Sequence, residues 1–111
     1  MSIGVPTHRA PTTPGEMLLE EFLRPLGLTQ TDVAERMQVP LKRLNAIIRG
    51  RKAVTPDTAL RLERLFGMEA QFWLNMQQNI DLYRAMHSPT AADIRKLRRV
   101  PGIDEHSGRV A

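Results

Sequence analysis

The sequence predicts an all-α domain of five amphipathic helices, followed by a short C-terminal helix or tail. Three observations predict it. Apolar residues recur three and four positions apart through most of the chain, the spacing that lines one side of a helix. Each such run opens on residues that cap helices and closes on residues that stop them. No segment alternates apolar and polar residues as a half-buried strand does.

Residues 1–12 carry Pro6 and Pro11 among Ser, Gly and Thr and read as a flexible arm. A helical domain is expected over 13–87. Thr13 is placed to cap its first helix, with Pro14 at the first helical position and Glu16 at the capping-box spacing. Leu18, Leu19, Phe22 and Leu23 form the apolar side, and Pro25 and Gly27 are expected to stop the helix. Thr29 opens the second helix with Asp32 three residues on, and Val33, Ala34 and Met37 form its buried side. Pro40 is suited to open the third helix, which runs to Arg49 and is capped by Gly50.

Thr55-Pro56-Asp57 starts the fourth helix, whose Ala59, Leu62, Leu65 and Phe66 face inward until Gly67. The fifth covers about residues 70–86, with Trp73, Met76, Ile80 and Tyr83 at heptad-like spacing. That seam reads either as core, fixing the fifth helix to the fourth, or as a dimer contact. Ser88-Pro89-Thr90 breaks the pattern, leaving residues 88–111 as a tail. Within it Thr90 and Asp93 are placed to cap a short helix over 90–99 that carries Ile94 and Leu97. Arg95, Lys96, Arg98 and Arg99 read either as a second phosphate-binding element or as a charged solvated tail.

Composition excludes several function classes. At 111 residues and 41% hydrophobic content, one domain with a single core is expected. The chain has no Cys, which removes disulfides, thiolate metal sites and Cys nucleophiles, and fits a cytoplasmic location. No apolar run is long enough to span a membrane, and the start lacks a secretory signal pattern. His8, His87 and His106 lie far apart in arm, break and coil, so no metal or other cofactor is expected. Glu20 and Glu21 are adjacent and diverge on a helix, and no Ser or Thr stands near a His. The sequence offers no catalytic site and does not read as an enzyme.

Net charge is +4 and the sequence pI is about 10.3. Its placement says more than its total. From Arg36 to Pro56 there is no Asp or Glu, yet Arg36, Lys42, Arg43, Arg49, Arg51 and Lys52 all fall there. A solvated helix mixes both signs, so this stretch is expected to face something acidic. On a helical wheel Leu41, Leu44, Ile47 and Ile48 share one side. Lys42, Asn45 and Arg49 share the other, with Ala46 among them and Arg43 on a flank.

A two-turn helix, a short turn and a second amphipathic helix make a helix-turn-helix, here at about residues 29–50. The second helix of such a unit enters a major groove about 12 Å wide. There Lys42 is suited to guanine acceptors and Asn45 to adenine, while Arg49, Arg51 and Lys52 lie where phosphate would pass. An acidic protein partner for the same basic face is the rival reading.

The stretch TQTDVAERMQVPLKRLNAIIRG resembles the helix-turn-helix of phage-repressor-type regulators, with Gln30 opening the second helix, Ala34 at the small crossing position and Leu44 in the core. The position in the turn that often holds Gly is Gln38 here, so either this residue takes an unfavourable backbone conformation or the turn differs. PTTPGEMLLEEFLRPLGLTQ before it and TPDTALRLERLFGMEAQFWLNMQQNIDL after it resemble the HigA (or VapI) family of antitoxins from bacterial toxin–antitoxin modules. The likeness runs from Pro11 to Tyr83, and its specific motifs are PGE…LGLTQ, TP-x-x-ALRL and FWLN-x-Q.

The resemblance implies a five-helix phage-repressor-like DNA-binding domain. It implies a homodimer that binds operator DNA in its own promoter, represses its operon and neutralises a HigB/RelE-like mRNA-cleaving toxin. By motif, Gln30, Leu41, Lys42, Arg43 and Asn45 fall at base-contact positions and Thr29 joins the phosphate contacts. A stand-alone regulator on the same scaffold, without a toxin, is the closer rival.

Overall fold

In a computed structural model that describes residues 9–103, the chain is all helical, with no strand among those residues. The arm's residues 1–8, the tail's 104–111, His8 and His106 lie outside the described residues. The first helix, α1, joins an α-helical turn Pro14–Leu18, a π-helical turn Leu19–Leu23 and a last turn Arg24–Leu26. It is followed by α2 (Gln30–Met37), α3 (Leu41–Ile48), α4 (Pro56–Phe66), α5 (Ala70–Met86) and α6 (Ala91–Arg95).

The starts follow the caps. Thr13 Oγ1 accepts from the Glu16 N–H at 3.1 Å while Glu16 Oε1 accepts from the Thr13 N–H at 2.9 Å. Thr29 and Asp32 make the same reciprocal pair at the start of α2. Thr55 caps α4 with Pro56 at its first position. Pro25 corrects the sequence reading, because α1 continues through it and ends at Gly27. The widened π turn sends the Arg24 N–H back five residues to Leu19 O, re-registering the ladder around a residue that has no N–H to give. Gly27, at φ 67°, then closes α1 with its own N–H on Arg24 O and the Leu28 N–H on Leu23 O.

The core forms where α4 and α5 pack as a hairpin and α1 lies across them. Leu18, Leu23, Val33, Leu44, Leu62 and Trp73 are all buried. Phe22 of α1 joins both arms of the hairpin, its ring centroid 5.6 Å from that of Trp73 in α5 and 5.0 Å from that of Phe66 in α4. Of the heptad-like seam, Trp73 and Ile80 are interior to this chain, and Met76 and Tyr83 are half-buried. Thr58 is also buried, a position the apolar pattern passes over because its residue is polar.

Gly15 shows how closely α1 meets α3. A Cβ there would lie 2.4 Å from Ile47 O and 2.7 Å from Ile48 Cα, so any side chain would push the helices apart.

The short C-terminal helix occupies Ala91–Arg95 of the expected 90–99. Ile94 is 56% and Leu97 76% exposed, so no buried apolar face sustains further turns. Nor does Thr90 cap it: its backbone is already helical and its hydroxyl pairs with Ser88 Oγ at 3.1 Å. No helix among the described residues is long and apolar enough to cross a membrane.

Candidate nucleic-acid interface

Gln38 resolves the alternative left open by the sequence: it adopts the left-handed conformation, φ 58° and ψ 46°. The Val39 N–H then reaches Ala34 O at 3.0 Å and the Gln38 N–H reaches Glu35 O at 3.1 Å, which ends α2 after two turns. Pro40, extended, redirects the chain into α3. Val33, Ala34 and Met37 of α2 meet Leu44 and Ile47 of α3 inside the core, and the small Ala34 lets the two helices approach. The second turn of α2 is held from outside by α4, where Arg61 Nη1 donates to Met37 O at 2.8 Å.

The outer face of α3 brings most of the expected readers together. Gln30, Thr31, Leu41, Lys42 and Asn45 line one concave surface. Asn45 Nδ2 donates to Gln30 Oε1 at 3.1 Å, tying the exposed face of α3 to the start of α2. Each amide keeps polar atoms outside this bond, so Asn45 retains the acceptor and the second N–H that a bidentate base contact uses. The helical wheel groups Leu41 with the core residues, but it is 46% exposed. At the first turn of α3 no neighbouring helix covers it, and its methyls stand beside Lys42.

Arg43 does not join that surface. It is half-buried on the flank, lining a neighbouring concavity with Lys42, Ala46, Lys52 and Thr55. Its charge reaches Asp57 of α4. The Asp57 carboxyl is held below the usual carboxylate range, first by its hydrogen bond from Arg61 and then by the charges of Arg61 and Arg43. Asp57 is the first acid after the acid-free stretch, and Arg61 Nε engages it at 2.9 Å.

Past α3 the chain turns at Gly50, φ 76°, and the Arg51 and Lys52 N–H groups both return to Ala46 O, at 2.8 and 3.2 Å. With those amides occupied, the side chains of Arg49, Arg51 and Lys52 are what this loop presents, and all three are exposed. Neither ion pair among the described residues involves them. Thr29 is exposed at the start of α2 with its hydroxyl engaged in the cap. The loop is anchored from behind by Gln77 of α5, whose Oε1 accepts from the buried Val54 N–H at 2.8 Å. Gln77 Nε2 in turn donates to Asp81 Oδ1 at 3.0 Å.

Sequence reasoning did not single out Gly15, Arg61 or Gln77 as supports of this face. The signal was present in motif form, since they lie in PGE, ALRL and FWLN-x-Q. Among the described residues no group of three or more His, Cys, Asp or Glu stands together at metal-binding distance.

Residues 19–73 match the family model described as helix-turn-helix. The chain is 43% identical over 95 residues to "Virulence-associated protein I" of Dichelobacter nodosus, an alignment that covers 85% of this chain and 88% of that protein. It is 39% identical over 77 residues to "Antitoxin HigA-1" of Vibrio cholerae, covering 69% of this chain and 72% of that one. The solved structure of the Pseudomonas aeruginosa antitoxin HigA with the higBA promoter superposes with a TM-score of 0.75 at 30% identity, covering 81% of this chain and 98% of the other.

Proposed function

Because the chain belongs to the helix-turn-helix family that includes the HigA- and VapI-type antitoxins, we propose that it binds operator DNA as a homodimer, represses its own operon and neutralises a HigB/RelE-like toxin. The observation that carries the DNA reading is the Gln30–Asn45 bond. It fixes two amides, from two helices, on one surface that also presents Lys42 and Leu41. Asn45 pairs with an adenine edge, Lys42 with guanine acceptors, and Leu41 lies against a thymine methyl. Gln30 holds Asn45 in register, and Arg43 reaches a base from the flank. Thr29, Arg49, Arg51 and Lys52 grip phosphate and supply the salt-dependent part of the affinity.

A dimer sets two copies of α3 about 34 Å apart on a palindromic site. Trp73 and Ile80 are interior, so this reading pairs the chains through the apolar edge left exposed at the end of α5, on α6 and just past it: Leu82, Met86, Ile94 and Leu97. Leu82→Glu with Ile94→Glu should sediment as a monomer and lose the palindromic footprint.

The deciding experiment titrates the protein against DNA from upstream of its own gene and against a shuffled fragment, at two salt concentrations. Tight binding to the native fragment alone supports the repressor. Equal, weak and strongly salt-sensitive binding to both refutes sequence reading and favours an acidic protein partner. The antitoxin part is tested by co-expression with the small basic protein of an adjacent reading frame. Failure to form a complex or to relieve growth arrest leaves a stand-alone regulator.

A further inference from the structure

The proposed phosphate grip has three cations from α3 and the loop after it. The fold brings a fourth to the same place from far along the chain. Arg84 is the sole basic residue of α5 and sits in its last turn. A Cβ on Gly50 would lie 3.7 Å from Arg84 Nη2, so the guanidinium lies against the turn that ends α3. Arg84, Gly50 and Lys52 line one small niche with Thr13 and Gly15 from the start of α1.

Arg84 is exposed and takes part in neither ion pair among the described residues. The acid three residues before it, Asp81, already accepts from Gln77. A cation at a helix C-terminus is favoured by the helix dipole, and that alone explains its presence in the last turn. It does not explain its direction, back over Gly50 and beside Lys52. Gly50 lacks a side chain, which leaves the turn bare where the guanidinium reaches it.

We propose that Arg84 is a phosphate-contacting residue of the DNA interface, a planar donor that extends the Arg49–Lys52 grip along the backbone flanking the α3 groove. The inference rests on the DNA reading given above. The ligand is a backbone phosphate and not a base, because Arg84 stands beside Gly50, past the C-terminal end of α3, whereas the Gln30–Asn45 surface is built on the first residues of α3. Arg suits the role better than Lys through its fork of N–H donors, but the charge itself sets the salt dependence.

The test compares wild type, Arg84→Gln and Arg84→Lys on the native upstream fragment across roughly 50 to 200 mM salt. Losing one phosphate contact reduces the slope of log K against log salt by about 0.9, so the wild-type advantage over Arg84→Gln shrinks about 3.5-fold across that range. Arg84→Lys should restore the slope. Arg84→Lys should melt as wild type, since it keeps the cation at the helix end, and Arg84→Gln should melt only slightly lower through the lost helix-end charge. A merely structural Arg84 would move the melt and leave the salt slope alone. An unchanged slope in Arg84→Gln, whatever its melting temperature, overturns the proposal. If wild type itself shows no salt-dependent preference for its own fragment, the underlying DNA reading fails first, and that outcome is seen without any variant.

Discussion

Replacing Gln77 by Leu tests whether α5 holds the loop that carries Arg51 and Lys52. Gln77 is buried and its Oε1 is the acceptor of the buried Val54 N–H, at 2.8 Å. Leu fills much the same volume but removes that acceptor. An unsatisfied buried N–H costs about 1–3 kcal/mol, and the added apolar surface returns part of it. The bond from Gln77 to Asp81 is lost as well, but Asp81 is exposed and rehydrates cheaply. A net loss near 1–2 kcal/mol lowers the melting temperature of a domain this size by roughly 4–16 °C. The melts belong at several protein concentrations, because the proposed dimer would couple stability to concentration.

Gln77→Glu separates the bond from the packing. It keeps an acceptor for Val54 but sets a second carboxylate oxygen where an amide now donates to Asp81 at 3.0 Å. Repulsion and burial raise the folded pKa of the new Glu above its unfolded value of about 4.3. Its penalty is therefore full at neutral pH and is relieved as pH falls through the folded pKa. Gln77→Leu should show no such recovery. DNA affinity should drop in the Leu variant while the salt slope stays, because the loop loosens without losing a cation. A melt within about 2 °C of wild type at pH 7 would refute the anchoring role.

Gly15→Ala places a methyl 2.4–2.7 Å from the backbone of Ile47 and Ile48, where no rotamer change helps, so urea denaturation should report a loss of about 1–3 kcal/mol. A neutral effect would mean α1 and α3 do not touch there. Gln38→Gly should stabilise, by up to about 1 kcal/mol, since relief of the left-handed strain exceeds the added backbone entropy; a destabilised variant contradicts the strain. Asn45→Ala should relax discrimination at one operator position by about 1–3 kcal/mol with non-specific binding retained, and uniform weakening across a panel of single-base changes excludes it as a reader. Because the Asp57 carboxyl is depressed by Arg61 and Arg43, its contribution holds above the unfolded value near pH 4 and is lost as pH falls through the folded value. Asp57→Asn should flatten that acid limb of the stability profile.

What the sequence made legible was local. The reciprocal caps of Thr13 with Glu16 and Thr29 with Asp32 join residues three apart, so their spacing alone states the geometry. The α2–turn–α3 unit followed for the same reason, including the question that Gln38 posed. Rules of equal locality misled where tertiary context decided. Proline stops a helix in isolation, yet at Pro25 a π turn accommodates it. A wheel groups Leu41 with Leu44, but only the position of neighbouring helices tells which of the two is covered. The supports of the interface were the least legible. Gln77 reaches a residue 23 positions away and Arg61 one 24 away, and nothing in composition or periodicity announces such a pairing.

Those supports account physically for the motifs that flank the helix-turn-helix. PGE contributes Gly15, whose missing side chain lets α1 lie on the backbone at the end of α3. ALRL contributes Arg61, which takes the Met37 carbonyl at the end of α2 with a charge-assisted bond. FWLN-x-Q contributes Gln77, which fixes the loop after α3, and Trp73, which locks α5 to α1. Each motif therefore acts on a different free end of the two-helix unit: the close of α2, the close of α3 and the chain leaving it. Two helices of eight residues each are too short to hold their mutual angle unaided. If these clamps set that angle, breaking any one should blur discrimination between DNA sequences more than it lowers non-specific binding, since the cations remain and only their register is lost. A variant that lost both in equal measure would show the unit to be self-sufficient, with the motifs serving the core alone.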